Sequence, residues 1–332
     1  MRGTRESGRR AQVGSAHRSA TVVGMSPRIH LTVVISSVAL VAIGGLGAVW
    51  ASRDDARGPR RAIPAKLLGV YLPAWGDVAL HELPDAYNLV FAAFAVGDGN
   101  GGGRVTFSPD RSQDAASLRT DIAAAQAAGR TVLLSVGGAD NNDLHVTTPQ
   151  QADELVTSVS GLVDEYGFDG MDWDIEDTSR WNAESALAAS RALIRRYGST
   201  FVIATAPSPG VGEWKDWARQ MGPDLDLFGM QFYEFPATDT ERIEVIDTRI
   251  HEMITDYGLD PAQLMIGGMT AEAGCLTCDS PARVYRDAFA QLQAQFPTLR
   301  GAYVWSATID HDAGWPFATA VGTGVRQTPD IK

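Results

Sequence analysis

Cysteine is almost missing from this 332-residue chain; the two that occur form Cys275-Leu-Thr-Cys278. One CxxC cannot complete a four-ligand zinc site by itself, and no thioredoxin-like pattern surrounds it. A local disulfide between Cys275 and Cys278, stiffening a loop of an exported protein, is the expectation. Basic residues are also scarce, with 28 Lys and Arg against 40 Asp and Glu and a net charge of −12. Residues 1–51 hold six Arg and a single acid, so the remainder carries 22 basic against 39 acidic groups, a net of −17. A body that acidic argues against nucleic acid or anionic lipid as a partner and suits a neutral substrate. The Gly-rich run DGNGGGR (98–104) lacks a Walker lysine and dinucleotide spacing, so it is read as a flexible loop and no nucleotide cofactor is expected.

Charge is absent altogether from Leu31 to Ala51, LTVVISSVALVAIGGLGAVWA. About 20 apolar residues suffice to cross a bilayer, and an Arg-rich tail (1–30) precedes this stretch, as before a signal peptide or signal anchor. Residues 31–51 are therefore expected to export the remainder, with membrane contact only through this segment. A linker, 52–66, follows.

From residue 67 to about 325 the chain alternates short β-branched runs with longer amphipathic ones. Strand candidates are 67–72, 88–95, 131–136, 168–175, 201–206, 226–232, 264–269 and 302–306. Between them lie helical patterns such as ADELVTSVSGLVDEYG and AESALAASRALIRRYG, closed by Gly at the expected stop. Eight βα units imply a parallel sheet and match the length of a (β/α)8 TIM barrel. A doubly wound open sheet is the runner-up.

The fourth of these strands reads Gly167-Phe-Asp-Gly-Met-Asp-Trp-Asp-Ile-Glu-Asp177. Side chains alternate across a strand, so Asp172, Asp174 and Glu176 share one face while Met171, Trp173 and Ile175 share the other. A barrel tolerates stacked acids only near the C-terminal mouth, where its active sites lie. Mutual repulsion would keep a proton within the group and let Glu176 act as an acid near neutral pH. From spacing alone, catalysis competes with a structural ion-pair network, a Mg2+ or Ca2+ site and a solvated surface run. Arg180 is the first basic residue after the run, and the interleaved Trp, Met and Ile argue against a surface.

Asp169-Gly-Met-Asp172-Trp-Asp174-Ile-Glu176 resembles the DGxDxDxE signature of glycoside hydrolase family 18, the chitinase family. Ser135-Val136-Gly137-Gly138 is similar to its SxGG motif, Gln231-Phe232-Tyr233 to its QxY segment, and Trp305-Ser306 to its WS ending. TAPSP (205–209) and AEAG (271–274) resemble the compact branch that includes hevamine and the bacterial chitinase D type. The resemblance implies hydrolysis of β-1,4-linked N-acetylglucosamine chains by a retaining, substrate-assisted mechanism. It makes Glu176 the acid–base, Asp174 the group that orients the acetamido moiety, Asp172 its proton-sharing neighbour, and Tyr233 a donor to the acetamido oxygen. Trp305 would floor the site, with Tyr71, Trp75 and Gln231 in the substrate groove. Ser135, Gly137, Gly138 and Asp169 would support it. No metal and no cofactor are implied, and a monomer is expected.

Asp177 stands where larger chitinases commonly carry Tyr, Glu234 where this branch carries Asn or Asp, and Ser208 near a position often held by Glu or Gln. The interval between the last two strands is too short for an inserted domain, so a shallow, open groove favouring endo cleavage is expected. The rival enzyme is an endo-β-N-acetylglucosaminidase acting on N-glycans or peptidoglycan-type sugars. The rival from another class is a non-catalytic oligosaccharide-binding protein, which would lack Glu176. A metal hydrolase is the third alternative.

Overall fold

Alternation along each strand divides the apolar residues between two separate cores. Leu67, Leu89, Phe91, Leu133, Val202, Leu227, Met265 and Tyr303 form one cluster along a common axis. Their neighbours Leu68, Val90, Val132, Met171, Trp173, Ile203, Phe228, Ile266 and Val304 belong to a second, which includes the helices. Two cores, one inside a closed sheet and one between sheet and helices, are what a (β/α)8 barrel requires.

The computed structural model describes residues 63–109, 114–139, 143–210, 212–233, 238–270 and 280–326. Its strands are β1 (Leu67–Pro73), β2 (Leu89–Gly97), β3 (Val105–Thr106), β4 (Thr131–Gly137), β5 (Gly170–Asp174), β6 (Val202–Thr205), β7 (Leu227–Phe232), β8 (Leu264–Met269) and β9 (Gly301–Trp305). Pairing runs β1-β9-β8-β7-β6-β5-β4-β2, and β1–β2 pairing closes the ring of eight parallel strands. The helices are α1 (Ala115–Ala127), α2 (Pro149–Tyr166), α3 (Ala183–Tyr197), α4 (Gly212–Met221), α5 (Asp239–Thr255), α6 (Ala282–Gln295), α7 (Ala307–Asp312) and α8 (Pro316–Arg326). Local chemistry sets their ends. Thr148 caps α2, with Pro149 at its first turn and left-handed Gly167 at its stop, and Asn182 caps α3.

Tyr303 fills the barrel axis because three strands supply glycine around it. A Cβ at Gly69 would lie 2.8 Å from Tyr303 Cβ, one at Gly229 2.5 Å from its ring, and one at Gly267 would collide with its hydroxyl. At the base, side chains clip neighbouring strands together. Leu68 N donates to Asn88 Oδ1 at 2.8 Å, Val132 N to Asp169 Oδ2 at 2.9 Å and Ile203 N to Asp226 Oδ2 at 2.8 Å. The last residues of the expected linker also attach there. Lys66 Nζ donates to the carbonyls of Pro297 and Leu299, each at 2.6 Å, and Arg300 Nη1 donates to Pro64 O at 3.0 Å.

The Gly-rich run 98–104 is the loop expected after the second strand. It closes an antiparallel hairpin in which Val96 and Gly97 pair with Thr106 and Val105. Gly103 N donates to Glu154 Oε2 at 3.0 Å, and His145 N to Gly102 O at 3.0 Å. Glycine serves close approach here: a Cβ at Gly103 would collide with the Gln151 backbone. The expected export segment (31–51), the AEAG motif, Glu234 and the Cys275–Cys278 pair lie outside the described residues. Among the described residues no helix is long and apolar enough to cross a membrane.

Candidate active site

Strand β5 enters the site from the base, where Asp169 is fixed by Val132, and ends at Asp174. Met171, Trp173 and Ile175 lie in the helix-side core, and Trp173 Nε1 donates to Ser190 Oγ on α3 at 3.0 Å. The alternation therefore sends Asp172, Asp174 and Glu176 towards the axis and the mouth. Asp172 and Asp174 are buried, while Glu176, two residues beyond the strand end, is exposed in the cleft.

Side-chain donors grade the three carboxyls. Asp172 Oδ2 accepts from Tyr71 Oη at 2.8 Å and Ser135 Oγ at 2.7 Å, while Asp172 Oδ1 is buried with no hydrogen-bond partner. Gln231 Nε2 donates to Asp174 Oδ1 at 2.9 Å and reaches Glu176 Oε1 at 3.3 Å. Burial raises Asp172 from 3.8 to about 6, against the lowering hydrogen bonds of Ser135 and Tyr71. Burial, then the charges of Asp172 and Glu176, push Asp174 well above the usual carboxylate range. A proton therefore stays in this pair at pH values where free carboxyls have lost theirs. Among the described residues no three His, Cys, Asp or Glu side chains are grouped to hold a metal ion.

Above the acids opens a cleft of about 1420 Å³, lined by Trp75, Phe94, Asp174, Glu176, Gln231, Tyr233 and Trp305 among others. Trp305 is half-buried and stacks on Phe94 at 5.5 Å with 10° between the rings. Trp75, 64% exposed, stands 6.0 Å from Phe94 and 6.3 Å from Trp305. Three aromatic faces in one cleft suit the CH-rich face of a sugar. Tyr233 shares a hydroxyl contact with Tyr303, whose own proton goes to Gly229 O at 3.0 Å, and burial raises both phenols. The Ala93–Phe94 and Trp305–Ser306 peptide bonds are cis.

One expected role changes. Tyr71 does not line the groove; it is 1% exposed, stacks on Phe91 at 4.5 Å and uses its hydroxyl on Asp172. Its ring lies beneath the cleft, packed among Phe91, Phe94, Tyr303 and Trp305. Ser135, expected among the supporting residues, donates its hydroxyl to Asp172. Gly137 and Gly138 have φ of 125° and 90°, and Gly138 N donates to Asp174 O at 2.7 Å. A Cβ at Gly137 would collide with the Asp174 carbonyl. Phe94 escaped the sequence reading because strict alternation sends it to the helix side. A register shift between Ala92 and Ala95 turns Ala93 and Phe94 in succession towards the axis.

The family model for glycosyl hydrolases family 18 matches residues 68–309. Exochitinase 1 of Streptomyces olivaceoviridis is 26% identical over 328 residues, covering 78% of this chain and 55% of its own length. A chitinase of Enterococcus faecalis is 33% identical over 166 residues, 46% of each protein. The chain thus spans about half the length of these relatives. A family 18 chitinase from Chromobacterium violaceum shares the fold with a TM-score of 0.70 at 22% identity, over 85% of this chain and 91% of that one. The family match runs from β1 into α7, including the acidic strand and the aromatic mouth, and the chain belongs to glycosyl hydrolase family 18.

Proposed function

We propose that this protein hydrolyses β-1,4-linked N-acetylglucosamine chains with retention of configuration, using the substrate's own acetamido group as nucleophile. The observation that carries the reading is the grading of one strand face, from buried Asp172 and Asp174 to Glu176 open to the cleft. Glu176 gives its proton to the glycosidic oxygen as the C1–O bond breaks and the acetamido carbonyl oxygen bonds to C1. Asp174 accepts the acetamido N–H and balances the positive charge that develops on the oxazolinium ring. Asp172, buried beside it and itself raised in proton affinity, takes up the proton that Asp174 releases. Tyr233 turns its hydroxyl from Tyr303 to the acetamido oxygen, and Trp305 stacks beneath the ring. Glu176, now a carboxylate, then removes a proton from the water that attacks C1 and reopens the ring. An attached nucleophile has a high effective concentration and needs only to be held in line.

The charge-free stretch 31–51 supports export of the barrel, either released or tethered. Chito-oligosaccharides incubated with the protein should give β-anomeric products at early times, read by NMR. Initial α-anomer would overturn the substrate-assisted route.

A further inference from the structure

Glu176 lies beyond the last β5 residue, where strand pairing no longer holds the backbone. The chain is nevertheless fixed on both sides of it. Upstream, Trp214 Nε1 of α4 donates to Ile175 O at 3.3 Å, and its ring stacks on Trp181 at 3.8 Å. Downstream, Asp177 Oδ1 accepts from Ser179 N at 3.0 Å and Ser179 Oγ at 2.6 Å, while Asp177 Oδ2 accepts from Arg180 Nε at 2.7 Å. Arg180 is anchored in turn. Its Nη1 donates to His145 Nε2 at 3.2 Å, and its carbonyl accepts from Val146 N at 2.7 Å. Through His145 N and Gly102 O, at 3.0 Å, the anchoring reaches the hairpin after β2. Loops following three neighbouring strands are thus linked, through His145 and Arg180, to the residue next to Glu176.

We propose that Asp177, clamped by Arg180, is a positioning residue that sets where the Glu176 carboxyl stands relative to the scissile oxygen. The proposal rests on the reading of Glu176 as acid–base. Magnitude separates it from a purely structural role. Capping the short turn Thr178–Arg180 needs one carboxyl oxygen, yet the second is committed to a guanidinium anchored on another loop. The two side chains are 49% and 22% exposed, and an exposed pair stabilises a fold by at most about 1 kcal/mol. A misplacement of about 1 Å in an acid–base group, by contrast, costs about a hundred-fold in rate.

The test compares the full-length protein with Asp177→Ala and Asp177→Asn on chito-oligosaccharides. Asp177→Ala should lower kcat by about ten- to a hundred-fold with KM changed by less than about two-fold and the melting temperature nearly unmoved. Asp177→Asn, which keeps an oxygen for Ser179 but weakens the Arg180 clamp, should fall between, and so distinguishes position from folding. In a Glu176→Gln background, Asp177→Ala should cause no further loss, because the effect acts through Glu176. An Asp177→Ala kcat within about two-fold of wild type, or an equal loss in both backgrounds, overturns the inference alone. A wild-type protein inactive on these sugars overturns the functional reading and this inference with it.

Discussion

Asp169, just before β5, and Asp172, within it, meet opposite surroundings. Asp169, at the base, accepts a backbone N–H from Val132 at 2.9 Å, while Asp172, nearer the mouth, is met by the hydroxyls of Tyr71 and Ser135 and keeps an unpartnered oxygen. Asn88 and Asp226 repeat the base arrangement just before β2 and β7. At the base the acceptor closes the barrel by replacing a ladder contact. At the mouth, partial satisfaction leaves carboxyls with a high proton affinity, the property that acid–base chemistry needs and folding does not. Position along the strand, rather than residue type, separates the two uses.

The largest effect should come from the mouth. Glu176→Gln should lower kcat/KM on chito-oligosaccharides by about 10²- to 10⁴-fold while oligosaccharide affinity, measured by calorimetry, is kept. A loss under about ten-fold would remove Glu176 from the chemistry. Next, Tyr233→Phe should cost about a hundred-fold in kcat, read in the same assay, with little change in the thermal transition. The reverse pattern belongs to the base. Asp169→Ala leaves Val132 N without its acceptor and should cost about 1–3 kcal/mol of stability in denaturant titration, with the rate per folded molecule unchanged. Asp169→Asn keeps an acceptor oxygen and should restore most of it. Loss of activity without loss of stability in Asp169→Ala would break the division between the two ends.

A smaller, pH-dependent effect sharpens the contrast. Burial raises Asp172 to about 6 from 3.8, so the folded protein keeps a proton that the unfolded chain releases. Its contribution to stability is therefore present below about pH 4 and lost as pH rises through 6, with Asp174 shifted in the same direction. Asp172→Asn, neutral at every pH, should melt a few degrees above wild type at pH 8, taking about 2–4 °C per kcal/mol. It should gain almost nothing at pH 4. A gain independent of pH would mean that the carboxyl is not titrating in the folded state.

Much of the barrel could be read directly. Each of the eight expected strands has a counterpart within a few residues of its expected limits, and Gly167 and Gly198 stop α2 and α3 as expected. The acidic strand was legible because alternation is a local rule and β5 obeys it. Phe94 was not, because a register shift against β4 reverses its face. Tyr71 was misplaced because the pattern gives the face of a strand but not its depth. The anchoring of the loop at 98–104 is not legible locally, because its partners Glu154 and His145 lie about 40–55 residues away in the chain.

The amino-acid sequence by itself determined the order of strands and helices and the shared face of Asp172, Asp174 and Glu176. Both follow from backbone periodicities of 2 and 3.6 that need no distant partner. Only the tertiary structure decided which carboxyl is buried beside Tyr71 and Ser135, which opens to the cleft beside Gln231, and how Tyr303 came to fill an axis cleared by Gly69, Gly229 and Gly267. Those outcomes depend on strand register and ring closure, which bring together residues far apart in the chain, as Tyr71 and Asp172 are.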